Sequence, residues 1–220
     1  MTNFLNDLIF NCEKINNNLS LNTVCFTGHR SQKLPWRFNE EDVRYKLTRI
    51  EVKKEIEKAI LKGKSQFISG MALGFDMMCA EIVLELKKKY PNICLICAVP
   101  CKNQDAKWNK HQQERYKRIL NQADKIRCIY DHYTQNCMQE RNRYMVNASS
   151  LVIALFNGKN GGTQKTIEYA EKQGKEIVII RPRETFDLTE QDIDDLANEF
   201  YEQTEKENYK MLLRAIYRVK

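Results

Sequence analysis

Short apolar runs alternate with longer stretches of helical periodicity along most of the chain. The runs fall at residues 23–27, 66–69, 93–99, 126–130, 151–156 and 176–181. Those at 151–156 (Leu-Val-Ile-Ala-Leu-Phe) and 176–180 (Glu-Ile-Val-Ile-Ile) are nearly continuous in β-branched and apolar residues, as expected of strands covered on both faces. Helical spacing occupies the intervals near 40–62, 75–89, 106–122, 137–147 and 163–173. Strands and helices in strict alternation imply right-handed crossovers and a parallel sheet. The predicted fold class is therefore α/β: a Rossmann-like open parallel sheet of about six strands with helices on both faces. At the N-terminus, Phe4, Leu5, Leu8, Ile9, Cys12 and Ile15 recur at helical spacing. After Pro182 the pattern changes again. Thr189 and Asp192 form a capping-box pair, and Ile193, Leu196, Ala197, Phe200, Tyr201, Leu212, Leu213, Ile216 and Tyr217 predict one long helix or two short ones. The expected organisation is an N-terminal helical extension (1–19), a Rossmann-like domain (20–182) and a C-terminal helical extension (183–220) that packs on the sheet or serves a protein partner or a homo-oligomer.

Composition narrows the functional classes. Hydrophobic residues make up 42% and charged residues 30%, an ordinary globular balance. The apolar runs fall short of the roughly 18 residues of a membrane span, and the early acid Asp7, with no small-residue cleavage site, argues against a secretory signal. A cytoplasmic protein without membrane contact is expected. Of eight cysteines, Cys94, Cys97 and Cys101 are closely spaced, but on a strand residues three apart point to opposite faces, so free thiols are expected and no metal site. The net charge of +7 is unevenly placed. Residues 1–182 carry 30 basic and 19 acidic side chains, residues 183–208 carry 2 and 10, and residues 209–220 carry 4 and none. A basic body suits an anionic ligand, and the acidic segment is positioned to mask part of it.

In an open parallel sheet ligands bind at the carboxyl ends of the strands, so the residues just past each strand are the candidate site. After the first strand come Thr27, Gly28, His29, Arg30 and Lys33, a sharp exit followed by donors suited to phosphate. After the second come Ser69, Gly70, Met71, Ala72, Gly74 and Asp76, leading into a helix whose positive end faces the pocket. After the fifth, Asn157, Gly158, Gly161, Gly162 and Thr163 again run into a helix. Pro100, Gln104 and Trp108 follow the third strand, and Arg141 and Asn142 follow the fourth. Trp108 suits either base stacking or the core.

These residues carry a resemblance. Thr27-Gly28-His29-Arg30 with Lys33-Leu34, the run from Ser69 to Glu81, Pro100 with Gln104 and Lys107-Trp108, the run from Arg141 to Val146, and Phe156-Asn157-Gly158 with Gly161-Gly162-Thr163 and Tyr169-Ala170 together resemble the YpsA-like branch of the SLOG superfamily, in order over about residues 22–182. That superfamily is Rossmannoid. It includes the DprA DNA-uptake proteins, the LOG phosphoribohydrolases and sensor domains for nucleotide-derived signals. One departure matters: LOG enzymes place a catalytic glutamate three residues past the threonine of the glycine loop, where this chain has Thr166. Glu168 stands two residues later, about 200° further round a helix.

The resemblance implies a module binding a nucleotide or nucleotide-derived ligand, such as a nucleoside phosphate or an ADP-ribose- or NAD-like molecule, in a sensor or regulatory role. No cofactor beyond such a ligand is expected. A LOG-like N-glycosidase or phosphoribohydrolase using Asp76 or Glu81 in place of the missing glutamate is the alternative. A DprA-like single-strand DNA binder is a further one, with Lys102, Lys107, Lys110, Arg115, Lys117 and Arg118 beside Trp108 and Tyr116.

Overall fold

A computed structural model describes residues 20–202 and 205–219. The chain runs β1 (Thr23–Gly28), α1 (Val43–Leu61), β2 (Gln66–Ser69), α2 (Phe75–Leu86), β3 (Cys94–Cys101), α3 (Lys110–Gln122), β4 (Lys125–Tyr130), α4 (Cys137–Asn147), β5 (Leu151–Leu155), α5 (Gly162–Lys172), β6 (Glu176–Ile180), α6 (Glu190–Phe200) and α7 (Lys206–Ile216). The six strands form one all-parallel sheet in the order β4-β3-β2-β1-β5-β6, which is the α/β, Rossmann-like architecture expected. The first four strands build outward from β1 on one side, and the chain then crosses back to lay β5 on the other, in register Val24↔Leu151 to Gly28↔Leu155. The strand order therefore reverses between β1 and β5, and a crevice opens at their carboxyl ends.

Period-two alternation along the strands feeds two cores. Val24, Phe26, Phe67, Leu95, Cys97, Ile153 and Leu155 face the layer of α1, α2 and α3 and pack with Ile56, Ile82 and Ile119. Cys25, Ile68, Ile96, Ala98 and Val152 face α4 and α5 and meet Met145, Val146 and Ala170. Helices thus cover both faces, which is why the strand sequences are apolar at consecutive positions.

Local chemistry sets several ends tighter than the periodicity suggests. α1 starts at Val43 rather than 40, because the Asp42 carboxylate accepts the Arg44 N–H at 2.8 Å. α3 starts at Lys110 rather than 106, because Asn109 and Gln112 form a reciprocal capping box, leaving Asp105–Trp108 as a turn. α2 ends at Leu86, with residues 87–89 in a turn. The capping box at Thr189 and Asp192 forms as expected. Of the two C-terminal alternatives, two short helices form: Tyr201 is extended and ends α6. That pair packs against α1 through Val43, Leu47, Ile50, Ile193, Leu196 and Leu213 rather than against the sheet. The acids of α6 meet the bases of α1, with Lys53–Glu199 at 2.7 Å, Arg49–Glu199 at 3.1 Å and Lys54–Asp195 at 2.5 Å. The acidic segment therefore masks the outer side of α1, away from the strand ends. The helix expected at residues 3–16 lies outside the described residues.

Candidate functional site

The crevice is framed by two glycine loops that differ in their chemistry. The first connects β2 to α2 and satisfies itself. The Ser69 hydroxyl donates to the Asp76 carbonyl at 2.7 Å and accepts the Met71 N–H at 3.1 Å. Met71 takes a left-handed conformation (φ +57°) with its side chain fully buried, and Gln104 holds its carbonyl at 2.5 Å. The Asp76 carboxylate accepts the Ala72 N–H at 3.3 Å and sits in the first turn of α2, where it neutralises the helix's positive end. Behind it, Arg141 of α4 pairs with Asp76 at 3.5 Å and donates to the Gly70 carbonyl. Both ions are buried. Burial pushes the Asp76 carboxyl up, and the adjacent guanidinium opposes that shift. This loop already has its own counter-charge.

The second loop connects β5 to α5 and is open. Gly161 precedes the helix with no side-chain cap, and the first turn of α5 carries no acid, so its leading N–H groups lack side-chain partners of the kind that close other helices here. The Lys33 ammonium stands over Gly161, 3.3 Å from where a Cβ would sit. Neither Lys33 nor Arg30 hydrogen-bonds or ion-pairs through its side chain with another described residue. The Thr166 hydroxyl donates to the Gly162 carbonyl and accepts from the Asn142 amide, both at 2.9 Å, which fixes the first turn of α5 against α4. His29 bridges the β1 and β5 loops, its Nε2 accepting the Asn157 N–H at 3.3 Å. Because that bond needs an unprotonated ring nitrogen, the ring is neutral, and burial lowers its pKa below 6.5. A positive helix end with no acid in its first turn, and cations without a salt-bridge partner beside it, make an anion-binding corner.

Two contiguous cavities occupy the crevice. The inner one, about 390 Å³, is lined by Thr27, Gly28, His29, Lys33, Asp76, Arg141, Asn142, Gly162 and Thr163. The outer one, about 730 Å³, is lined by Leu73, Gln104, Lys107, Trp108, His132 and Tyr133 among others. Arg30, Gln32, Ala72 and Met138 line both and mark their junction. Trp108 is half-buried, its ring edge-on to Tyr116 at a centroid distance of 5.3 Å, so it serves the core and the outer wall together.

The expected residues separate accordingly. Ser69, Gly70, Met71, Gly74 and Pro100 sit beneath the cavity walls, Asn157 and Gly161 form the β5 loop behind Thr163, and Gly158 is exposed at its tip. Glu81 is elsewhere. It points to the outer side of α2 and binds Arg115 and, at 3.2 Å, Arg118, so it cannot act on a ligand in the crevice. The same pairing, with Glu40 on Arg115 at 2.5 Å, removes Arg115 from the basic run on α3. Gln32, Leu73 and Met138 were not named as site residues from the sequence. Gln32 and Leu73 lie in the loops after β1 and β2 and Met138 in the first turn of α4, and only the packed fold brings them to one crevice. Tyr133, which the sequence places past the fourth strand, lines the outer cavity. No cluster of three or more His, Cys, Asp or Glu side chains suited to a metal exists among the described residues.

The framework has recognised relatives. Residues 24–185 match the family described as YspA SLOG (YpsA). The chain belongs to that family. Among curated proteins it is similar to the SPbeta prophage-derived protein YoqJ of Bacillus subtilis, 36% identical over 148 residues that cover 60% of this chain and 86% of YoqJ. It is also similar to a UPF0398 protein of Brevibacillus brevis, 29% identical over 66% of this chain and 78% of the relative. Among solved structures, DNA processing protein A (DprA) from Streptococcus pneumoniae superposes with a TM-score of 0.51 at 14% identity over 92% of this chain. This chain spans 59% of that protein's length. DprA from Helicobacter pylori, described in a single-stranded DNA binding mode, gives a TM-score of 0.50 at 20% identity over 91% of this chain and 83% of that one. These two likenesses establish the shared fold. No helix among the described residues is long and apolar enough to cross a membrane.

Proposed function

We propose that this SLOG protein binds a nucleotide or nucleotide-derived phosphate ester across the crevice, as a sensor or regulatory module. The phosphate lies on the N-terminus of α5 between Lys33 and Thr163, and the base lies in the outer cavity beside Trp108. One observation carries the reading: α5 presents an uncapped, acid-free N-terminus to the inner cavity with Lys33 over it. Binding is favoured over glycosidic cleavage by where the carboxylates stand. Asp76 is held by Arg141 and the Ala72 N–H, Glu81 faces away, and Thr166 occupies the position of the LOG glutamate with its hydroxyl already engaged. Single-stranded DNA is the second reading. It is supported by the single-stranded DNA binding mode of the H. pylori neighbour and by Lys102, Lys107 and Tyr133 around the outer cavity.

The test is thermal unfolding of the full chain with AMP, ADP-ribose, ribose 5-phosphate, inorganic phosphate and an oligothymidine. A compound at 100 times its Kd should stabilise the fold by about 2.7 kcal/mol. Lys33→Ala should weaken binding of the phosphate esters about tenfold, the loss of one charge-assisted contact. If neither AMP nor ADP-ribose raises Tm, the reading fails. A shift with the oligonucleotide alone, steeply salt-dependent, puts DNA in its place.

A further inference from the structure

We propose that the outer side of α7 is a homodimer interface, on which a second copy of this chain lays its own α7 antiparallel about a two-fold axis near Leu212. The helix is apolar on two sides. Tyr209 and Leu213 face inward and join the core shared with α1 and α6. Met211, Leu212, Ala215 and Ile216 recur at three- and four-residue spacings on a second side. All four are exposed, Met211 at 67%, Leu212 at 52% and Ile216 at 61%. Phe186 continues this surface: its ring stacks on Tyr217, the neighbour of Ile216, at a centroid distance of 6.2 Å, and is itself half-exposed. The Arg44 guanidinium, 4.0 Å from the Phe186 centroid, holds that ring in place. Single apolar side chains are common on protein surfaces, whereas a contiguous group of this kind marks an interaction site.

Charge selects the occupant. Lys210 and Arg214 of α7 are neutralised within the chain, by Asp194 at 2.9 Å and Glu190 at 2.6 Å. The charges left over lie at the two ends of the helix. Glu202 and Glu205 precede its first turn and Arg218 follows its last, all three exposed, and none ion-pairs through its side chain with another described residue. Glu205 stands in line with the apolar stripe, seven residues before Leu212, or about 10 Å along the axis. Arg218 stands a similar distance beyond Leu212. Two copies paired antiparallel therefore set Glu205 of each against Arg218 of the other, twice over by the symmetry of an isologous contact. Parallel pairing would set like charge against like, and a uniformly acidic or basic partner would match one end and repel the other. The antiparallel arrangement also opposes the two helix dipoles. One helix side and a neighbouring ring make a small interface, below about 1,200 Å² in total, so association on the order of micromolar is expected.

The experiment is sedimentation equilibrium of the full chain from about 1 to 100 μM. The wild type should pass from monomer to dimer across that range. Leu212→Glu, at an exposed position, should raise the dimer Kd at least tenfold while keeping the circular dichroism spectrum and Tm of the monomer. Glu205→Lys and Arg218→Glu should each weaken self-association at least threefold. Mixed together, those two variants should associate as tightly as the wild type, because each then meets the opposite charge at both ends. A wild type that stays monomeric at 100 μM overturns the proposal and leaves this face to residues 1–19 or to a different protein. A dimer that Leu212→Glu leaves intact overturns it too, since its interface lies elsewhere. A dimer that Leu212→Glu abolishes but that mixing fails to rescue overturns the antiparallel pairing. The wild-type measurement stands even if a variant folds poorly.

Discussion

Gly74 takes φ +100° and ψ −122°, and a Cβ there would lie 2.7 Å from the Ser31 nitrogen and 2.9 Å from the His29 carbonyl oxygen. Backbone from the β1 loop leaves no room, and the conformation itself excludes L side chains. Gly74→Ala should therefore cost about 2–4 kcal/mol, read as a lower urea midpoint with an unchanged slope. His29 makes a separate prediction. Its folded pKa lies below 6.5 because burial disfavours the charged ring, so the unfolded chain binds the proton more readily. The stabilisation is complete above pH 6.5 and is lost as pH falls through that value toward the folded pKa. Unfolding free energies measured between pH 7.5 and 5 should decline in the wild type, and His29→Gln, which keeps an acceptor for the Asn157 N–H, should flatten the decline. An unchanged slope in the variant would assign the dependence to another group.

At the scale of elements, Asp76 and Arg141 join the first turn of α2 to α4 by an ion pair in which both side chains are buried. Removing one partner leaves the other charge buried and uncompensated, whereas removing both does not. Arg141→Met should cost about 3–5 kcal/mol, and the double replacement Asp76→Leu with Arg141→Met should recover much of that loss. A double-mutant cycle by urea unfolding checks it; strict additivity would mean the pair is not coupled. The two glycine loops were alike in sequence, each a glycine-rich strand-to-helix junction. What separates them is whether an acid sits in the helix's first turn. Asp76 was visible there from the start, but its pairing partner lies 65 positions away on α4, and only the packed helices bring the two together.

At the scale of the molecule, α6 and α7 pack on α1 through Leu196 and Leu213 against Val43, Leu47 and Ile50, and that shared core predicts one cooperative unit. Leu196, fully buried, should cost about 2–5 kcal/mol when changed to Ala, within a single transition and not a separate early one. Two transitions in the wild type would make the C-terminal pair an independent appendage. The sequence alone determined the parallel α/β class, the six strands and the loops at their carboxyl ends. These follow from local rules: period-two and period-3.6 patterns, β-branched runs and glycine at sharp exits are written in neighbouring residues. The cation that stands over α5, by contrast, is Lys33, which reaches Gly161 from more than 120 residues away. The sequence suggested Glu81 as a candidate acid, and packing turned it outward onto Arg115, because its position on α2 faces α3. Which charges meet across the sheet, and which are left free for a ligand, is decided by strand order and helix packing, since those interactions join residues that the chain itself keeps far apart.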